Sequence, residues 1–368
     1  HMVMQGLYFG TDANEVANAA GAAPQMGTTF DPGQLENDTA YYHHYKSADG
    51  NSNFVYINIK NKISGYCIYE SDFVPFTGIL NNNKFILRRR WSENIVFDGT
   101  LLDGKILGKL FSESEITGKD IKFYKQERHY ILPLHQYAMY KEIPLIADVP
   151  SSPTGKLFLT TILPDNKYRH AKKLKNKIFE FFLDDSTSSH ITIKEIFDLT
   201  LKQFKRHYIK VNKSLYQDFS GQCVSCNWIK QKNVDVIYND ERFLCMSLNK
   251  YAFTGGAHGI MISDFLNFDL VNGEILSCNK LFTKENKKIV SKLLETELRK
   301  KYNISDSQSI TEFGFFSDKI QPTSNIYITS LGIGFVYNVY ELAPFSFGTI
   351  ELFLKKEQIE ELLNNNFY

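Results

Sequence analysis

The sequence predicts an α+β fold, with an N-terminal antiparallel β-meander followed by an antiparallel sheet with helices packed on one face. Three observations carry that prediction. Residues 51–127 consist of short alternating apolar runs separated by Asn-rich and Asp-Gly turns, which supply the positive φ angles of tight hairpins. Three later segments carry apolar residues at spacings of three and four, the signature of amphipathic helices. The chain also holds 29 Phe and 21 Tyr against 2 Trp, and such rings fit a pleated surface.

Composition narrows the function classes. The 368 residues include 42 Lys+Arg and 41 Asp+Glu, a net charge of +1. A dedicated nucleic-acid binder carries a clear basic excess, and this chain does not. At 43% hydrophobic residues it can bury a sizeable core. No run approaches about 18 consecutive apolar residues, so no transmembrane helix is expected.

The elements follow in order. Residues 1–50, rich in Gly, Ala, Asn, Asp and Thr, read as a flexible tail or linker that includes His43-His44. His1-Met2 reads as a cloning scar, which would leave any signal peptide outside the sequence. In the meander domain, residues 51–127, runs such as Phe54–Ile59, Gly65–Tyr69, Thr77–Leu80 and Lys84–Arg88 predict about six strands. Asn61-Lys62, Asn81–Asn83, Asp98-Gly99 and Asp103-Gly104 are the expected turns. Arg88-Arg89-Arg90 reads as a solvated edge that resists strand addition.

Residues 128–368 form the expected α+β domain. Pro133, Pro144 and Pro150 exclude a long helix at its start. A strand at Lys156–Ile162 leads to a helix over Lys167–Leu183, whose lysines read as a solvated face. A second helix spans Ile193–Lys210, opened by a Thr192/Glu195 capping box. Strands follow at Cys223–Lys230, Asn233–Tyr238, Arg242–Phe253 and Leu266–Leu270, the last ending at Asn272-Gly273. A third helix at Glu285–Tyr302 precedes strands at Ile326–Tyr337 and Thr349–Leu354 and a short helix at Glu357–Leu363.

The five cysteines are an odd number and too scattered for a disulfide framework. Cys223-Val-Ser-Cys226 has redox or zinc spacing. Cys245 and Cys278 stand alone, however, and Asn227–Lys230 read as extended, so these are taken as strand cysteines. No metal or cofactor is expected. There is no Gly-x-Ser-x-Gly elbow, phosphate loop, dinucleotide fingerprint or His-Glu-x-x-His helix.

Two stretches carry the strongest signal. One is Tyr251-Ala-Phe-Thr-Gly-Gly-Ala-His-Gly259, with Phe268-Asp-Leu-Val-Asn-Gly273 after it. The other is Leu331-Gly-Ile-Gly-Phe-Val-Tyr337, with Tyr340-Glu-Leu-Ala-Pro-Phe-Ser-Phe-Gly348 after it. Together they resemble the extracytoplasmic domain family found at the C-terminus of the anti-sigma factor RsiV, of PdaC and of many bacterial envelope lipoproteins. The resemblance covers residues 220–365, and a weaker one to the companion domain covers 128–215. It implies an extracytoplasmic, periplasmic or lipid-anchored α+β module without established catalytic residues, which in the RsiV branch recognises lysozyme. In PdaC the deacetylase chemistry belongs to a separate domain with a metal-binding Asp and His pair, and no such constellation is found here.

The candidate binding residues are Gly255, Gly256, His258, Tyr340 and Glu341. The glycines permit a sharp turn or close backbone approach. His258 reads first as a hydrogen-bonded hinge, with Glu341 the carboxylate that could convert it into an acid/base pair. The expected function is non-catalytic recognition at the cell envelope, of a lysozyme-type protein or a peptidoglycan-derived glycan. The alternatives are an envelope glycan hydrolase or transferase using His258 with a carboxylate, and a purely structural periplasmic protein. His258 within hydrogen-bond reach of a carboxylate, in a cleft, would favour the enzyme.

Overall fold

The computed structural model describes residues 36–59, 62–69, 72–90, 94–111, 118–126, 132, 134–183, 192–218 and 223–364. Its first eight strands are β1 (Glu36–Ser47), β2 (Asn53–Ile59), β3 (Lys62–Tyr69), β4 (Asp72–Asn81), β5 (Lys84–Arg89), β6 (Ile95–Leu102), β7 (Lys105–Leu110) and β8 (Lys119–Lys125). Each pairs antiparallel with the next. Tyr45–Ser47 of β1 also pair with Phe123–Lys125 of β8, so the meander closes into a barrel and loses its free edges.

Asn82 and Asn83, and Asp103 and Gly104, take positive φ at the β4–β5 and β6–β7 turns, as the sequence predicts. Asp98-Gly99 is not a turn. It lies within β6, opposite Lys109 and Gly108. A Cβ on Gly99 would stand 2.5 Å from the Phe97 ring, so the glycine makes room for an interior ring instead of bending the chain. Phe54, Tyr56, Phe76, Phe85, Phe97 and Phe123 fill the barrel, all fully buried. A concavity of about 340 Å³ opens at one mouth beside Ser47, Asp49, Tyr69 and Lys122.

Glu36–Ser47, inside the stretch expected to be a tail, form β1, which serves two sheets. Glu36–Ala40 pair with β9 (Leu134–Pro144), while Tyr41–Lys46 pair with β2. Residues 48–50 form the turn into β2, and residues 1–35 of the expected tail lie outside the described residues. The proline-rich start of the second half holds strand β9, since Pro144 sits at its end where no ladder bond is lost. Next come β10 (Thr154–Pro164), β11 (Trp228–Asn239), β12 (Phe243–Phe253), β13 (Ile260–Asp269) and β14 (Glu274–Leu276). All neighbours are antiparallel except β10 and β11, which are parallel. The crossover between them carries α1 (Ala171–Leu183) and α2 (Ile193–Asp218). A parallel pair requires such a connection.

The two strands expected between Cys223 and Tyr238 are one, β11, with a register shift between Val236 and Tyr238. Helix α2 opens as predicted. Thr192 N donates to Glu195 Oε2 at 2.7 Å, and Glu195 N to Thr192 Oγ1 at 3.3 Å. Residues 326–337 form two strands instead of one, β15 (Ile326–Thr329) and β16 (Gly332–Tyr337), which pair with β17 (Ile350–Lys355) as a second sheet. Two short helices, α3 (Cys278–Leu281) and α5 (Lys356–Ile359), flank the long α4 (Lys284–Tyr302).

The large sheet is covered on both faces. Leu157, Val234, Val236, Met246 and Phe268 meet α1 and α2 on one side. Tyr238, Phe243 and Cys245 meet β15–β17 and α4 on the other, together with Val55, Tyr66 and Phe73 from the outside of the barrel. The Tyr66 ring packs tilted at 40° on Tyr238, centroids 5.0 Å apart, and its hydroxyl donates to Asn239 O at 3.2 Å. Barrel and sheet share one apolar cluster, so they pack as neighbours without a linker's freedom.

Of the three arginines at the end of β5, Arg88 is exposed, but Arg89 and Arg90 are not a solvated edge. Arg89 reaches Glu351 at 3.4 Å. Arg90 is 6% exposed; it donates to Ser64 Oγ at 2.5 Å and to Ser247 Oγ at 3.4 Å, and lies 3.6 Å from Asp235 Oδ2. A buried charge persists only where it is paired and hydrogen-bonded. The pairing here joins the barrel to both sheets.

Candidate functional site

The two stretches singled out above meet at one end of the large sheet. The β12–β13 hairpin is shaped by Gly255, whose φ of +85° is open to glycine. A Cβ there would stand 2.1 Å from Ser225 O, so the loop backbone lies directly on the turn before β11. That turn, the 3-10 segment Val224–Cys226, is closed by a disulfide between Cys223 and Cys226. The cysteines are therefore not strand residues. Their spacing closes a four-residue turn that supports the hairpin, while Val224 at its apex is 81% exposed. Gly256 has open space around it and makes no such approach. Gly255→Ala is expected to cost about 2 kcal/mol, from the left-handed backbone and the clash with Ser225. Urea unfolding checks this, and an unchanged midpoint would contradict the close approach.

His258 is half-buried. Its Nδ1 lies 3.2 Å from Gly259 O, the local bond expected of a hinge. Its ring also stacks on Phe345, centroids 3.8 Å apart and planes 21° from parallel. Phe345 in turn lies 5.9 Å from Tyr340. Tyr340 is 51% exposed and holds φ at +69°, a conformation that costs a bulky residue energy and concentrates at functional positions. Glu341 does not face His258. Its Oε2 accepts from Asn338 N at 3.0 Å, and its own N donates to Asn338 O at 3.1 Å. Among the described residues no hydrogen bond joins His258 to a carboxylate. The arrangement thus lacks a matched acid and base within reach, and offers instead an exposed tier of rings: Tyr340, Phe345 and an imidazole with one free nitrogen.

The platform has a polar foundation. Asn338 accepts from Ser263 N at 2.8 Å and donates to Ser263 O at 3.2 Å. Ser263 Oγ donates to Asn249 Oδ1 at 2.7 Å, and Asn249 donates to Ser247 Oγ at 3.0 Å, where Arg90 arrives from the barrel. Sequence reasoning missed this ladder. Its one legible signal is Ser247 and Asn249 two apart within an apolar strand, which places both on one face. The buried thiols of Cys67, Cys245 and Cys278 are pushed above the ordinary value by burial, so they are inert. Among the described residues no group of three His, Cys, Asp or Glu could hold a metal ion, and no helix is long and apolar enough to cross a membrane.

Known proteins match this chain in the same region. Residues 159–261 match the family model described as Deacetylase PdaC, and residues 279–357 match Protein of unknown function (DUF3298). The barrel lies outside both. Over 239 residues, 63% of this chain, the sequence is 22% identical to the peptidoglycan-N-acetylmuramic acid deacetylase PdaC of Bacillus subtilis. The matched region spans 47% of that protein, about half its length. A crystal structure of a DUF3298 family member from Bacteroides fragilis superposes with a TM-score of 0.59 at 22% identity, covering 64% of this chain and 95% of that one. A DUF3298 family protein from Pseudomonas aeruginosa reaches 0.46 at 15% identity, covering 63% and 95%. The Bacteroides protein shares the α+β fold, and the resemblance to the PdaC and DUF3298 domains holds. His258 falls in the first matched segment, Tyr340 and Phe345 in the second.

Proposed function

We propose that this chain, which carries a PdaC-type segment followed by a DUF3298 segment, is a non-catalytic recognition module of the cell envelope that binds a peptidoglycan-derived glycan. The observation that carries the reading is the His258–Phe345–Tyr340 tier, built by one loop from each matched segment and exposed at its Tyr340 end. Aromatic faces offer large contact area at low entropy cost and suit the apolar face of a sugar ring, while the free imidazole nitrogen can bond a hydroxyl. The name of the Bacillus relative, a peptidoglycan deacetylase, supports a wall glycan as the ligand class. The placement of Glu341 against Asn338 weighs against the hydrolase or transferase reading. The location outside the cytoplasm belongs to the same proposal.

The test is calorimetric titration with soluble muropeptides and, separately, with c-type lysozyme. Saturable muropeptide binding is expected, weakened about fivefold or more in Phe345→Ala and Tyr340→Ala, since truncating a ring that anchors a contact costs more than about 1 kcal/mol. Binding of lysozyme alone would replace the glycan by a protein partner. Muropeptide turnover lost in His258→Ala would make the protein an enzyme and overturn the reading.

A further inference from the structure

Helix α2 carries a charge pattern that nothing in the fold consumes. Between Leu199 and Gln217 it holds Lys202, Lys205, Arg206, Lys210 and Lys213 and no acidic residue. All five are exposed, and none has an ion-pair partner among the described residues. At about 100° per residue Lys202, Arg206, Lys210 and Lys213 fall within an arc of about 80°, and they extend about 16 Å along the axis. The opposite face is anchored by Phe204 and Tyr208, both buried, so the stripe cannot rotate inward. The rest of the chain is net negative, −4 against the +5 of this stretch, although α1 also presents Lys172, Lys173, Lys175 and Lys177. An unpaired row of like charges on one rigid helix raises the local potential and costs some self-repulsion at low salt. An anion lying along it relieves that cost.

We propose that this face of α2 is a docking track for a linear polyol-phosphate polymer. Successive cations of the stripe lie about 4.5 to 6 Å apart along the axis, a repeat that a chain of phosphodiesters can follow. The face argues against two other polyanions. Leu199 is its only exposed aliphatic residue, too little to enter a bilayer. It carries no Phe, Tyr or Trp, the platforms on which single-stranded nucleic acid stacks. The track uses none of His258, Tyr340 or Phe345, so it stands independently of the glycan reading.

The experiment titrates the full chain with poly(glycerol phosphate) at low and high salt. Single-stranded DNA of equal charge and phosphatidylglycerol vesicles are run alongside. The polymer binds the wild type at about 50 mM salt, and binding fades steeply by about 200 mM. The triple variant Arg206→Gln/Lys210→Gln/Lys213→Gln loses on the order of a hundredfold in affinity, at roughly fivefold per charge near an anionic surface. Its thermal unfolding midpoint does not fall, and rises slightly as the repulsion is relieved. Lys288→Gln/Lys292→Gln on α4, equally exposed, leaves affinity intact. Absence of polymer binding at low salt, undiminished binding by the triple variant, or tighter binding of DNA or vesicles would each overturn the proposal.

Discussion

Asp235→Ala will lower the unfolding free energy by about 2–3 kcal/mol, more than Arg90→Met will, although both remove the same ion pair. The asymmetry follows from burial. The Arg90 side chain is 6% exposed and that of Asp235 36%. Burial pulls the Arg90 guanidinium below its ordinary value, and Asp235 beside it works against that shift. Without Asp235 an uncompensated guanidinium stays inside, which costs about 3–5 kcal/mol for a fully buried pair and less here because one partner reaches water. Arg90→Met removes the charge, fills similar volume, and leaves Asp235 to solvent. It costs about 1–2 kcal/mol, from the hydrogen bonds lost to Ser64 and Ser247, whose hydroxyls keep Val236 O and Asn249 as partners. Adding Arg90→Met to Asp235→Ala should therefore recover part of the loss, bringing the double variant near Arg90→Met alone. Urea midpoints for the four proteins decide it, and equal losses for the two single variants would show that the pair carries no buried charge.

Phe54→Ala will cost about 3–5 kcal/mol. The ring is fully buried, with centroids 4.9 Å from Phe76, 5.2 Å from Phe97 and 5.5 Å from Phe123. Rings from three other strands close on it, so the walls cannot collapse into the space without shifting the barrel ladder. A loss under about 1 kcal/mol would mean a loosely filled interior. It would also reopen the barrel as a ligand container, a role its packed aromatic core now opposes.

Much of the local structure was legible. The Asn82-Asn83 and Asp103-Gly104 turns, the Thr192 capping box and the stripe of α1 depend on residues a few positions apart; the stripes expected of α2 and α4 hold only in part, since Leu199 and Ile289 are exposed. The misses share a cause. Asp98-Gly99 has turn composition but sits in a strand, because the Phe97 ring needs the space over Gly99. Arg90 has the composition of an exposed edge yet is interior, because Asp235 and two serines from distant strands receive it. Cys223 and Cys226 stand at a spacing that fits several chemistries, and only the packing of Gly255 on Ser225 shows what their turn supports. Of the candidate site, Gly255, His258 and Tyr340 were named from sequence; Phe345, which joins His258 to Tyr340, was not.

The sequence by itself determined the α+β class, most helices and hairpin turns, and the two stretches that form the loop platform. These arise from periodicity and from the φ preferences of individual residues. The tertiary structure decided the closure of the barrel through β1 and β8, the sharing of β1 between two sheets, and the stacking of His258 on Phe345. It also decided the burial of Arg90, which meets Ser247 157 positions away. No local preference encodes such contacts. They form because burying the apolar faces of barrel and sheets against each other fixes where every remaining polar group must find its partner.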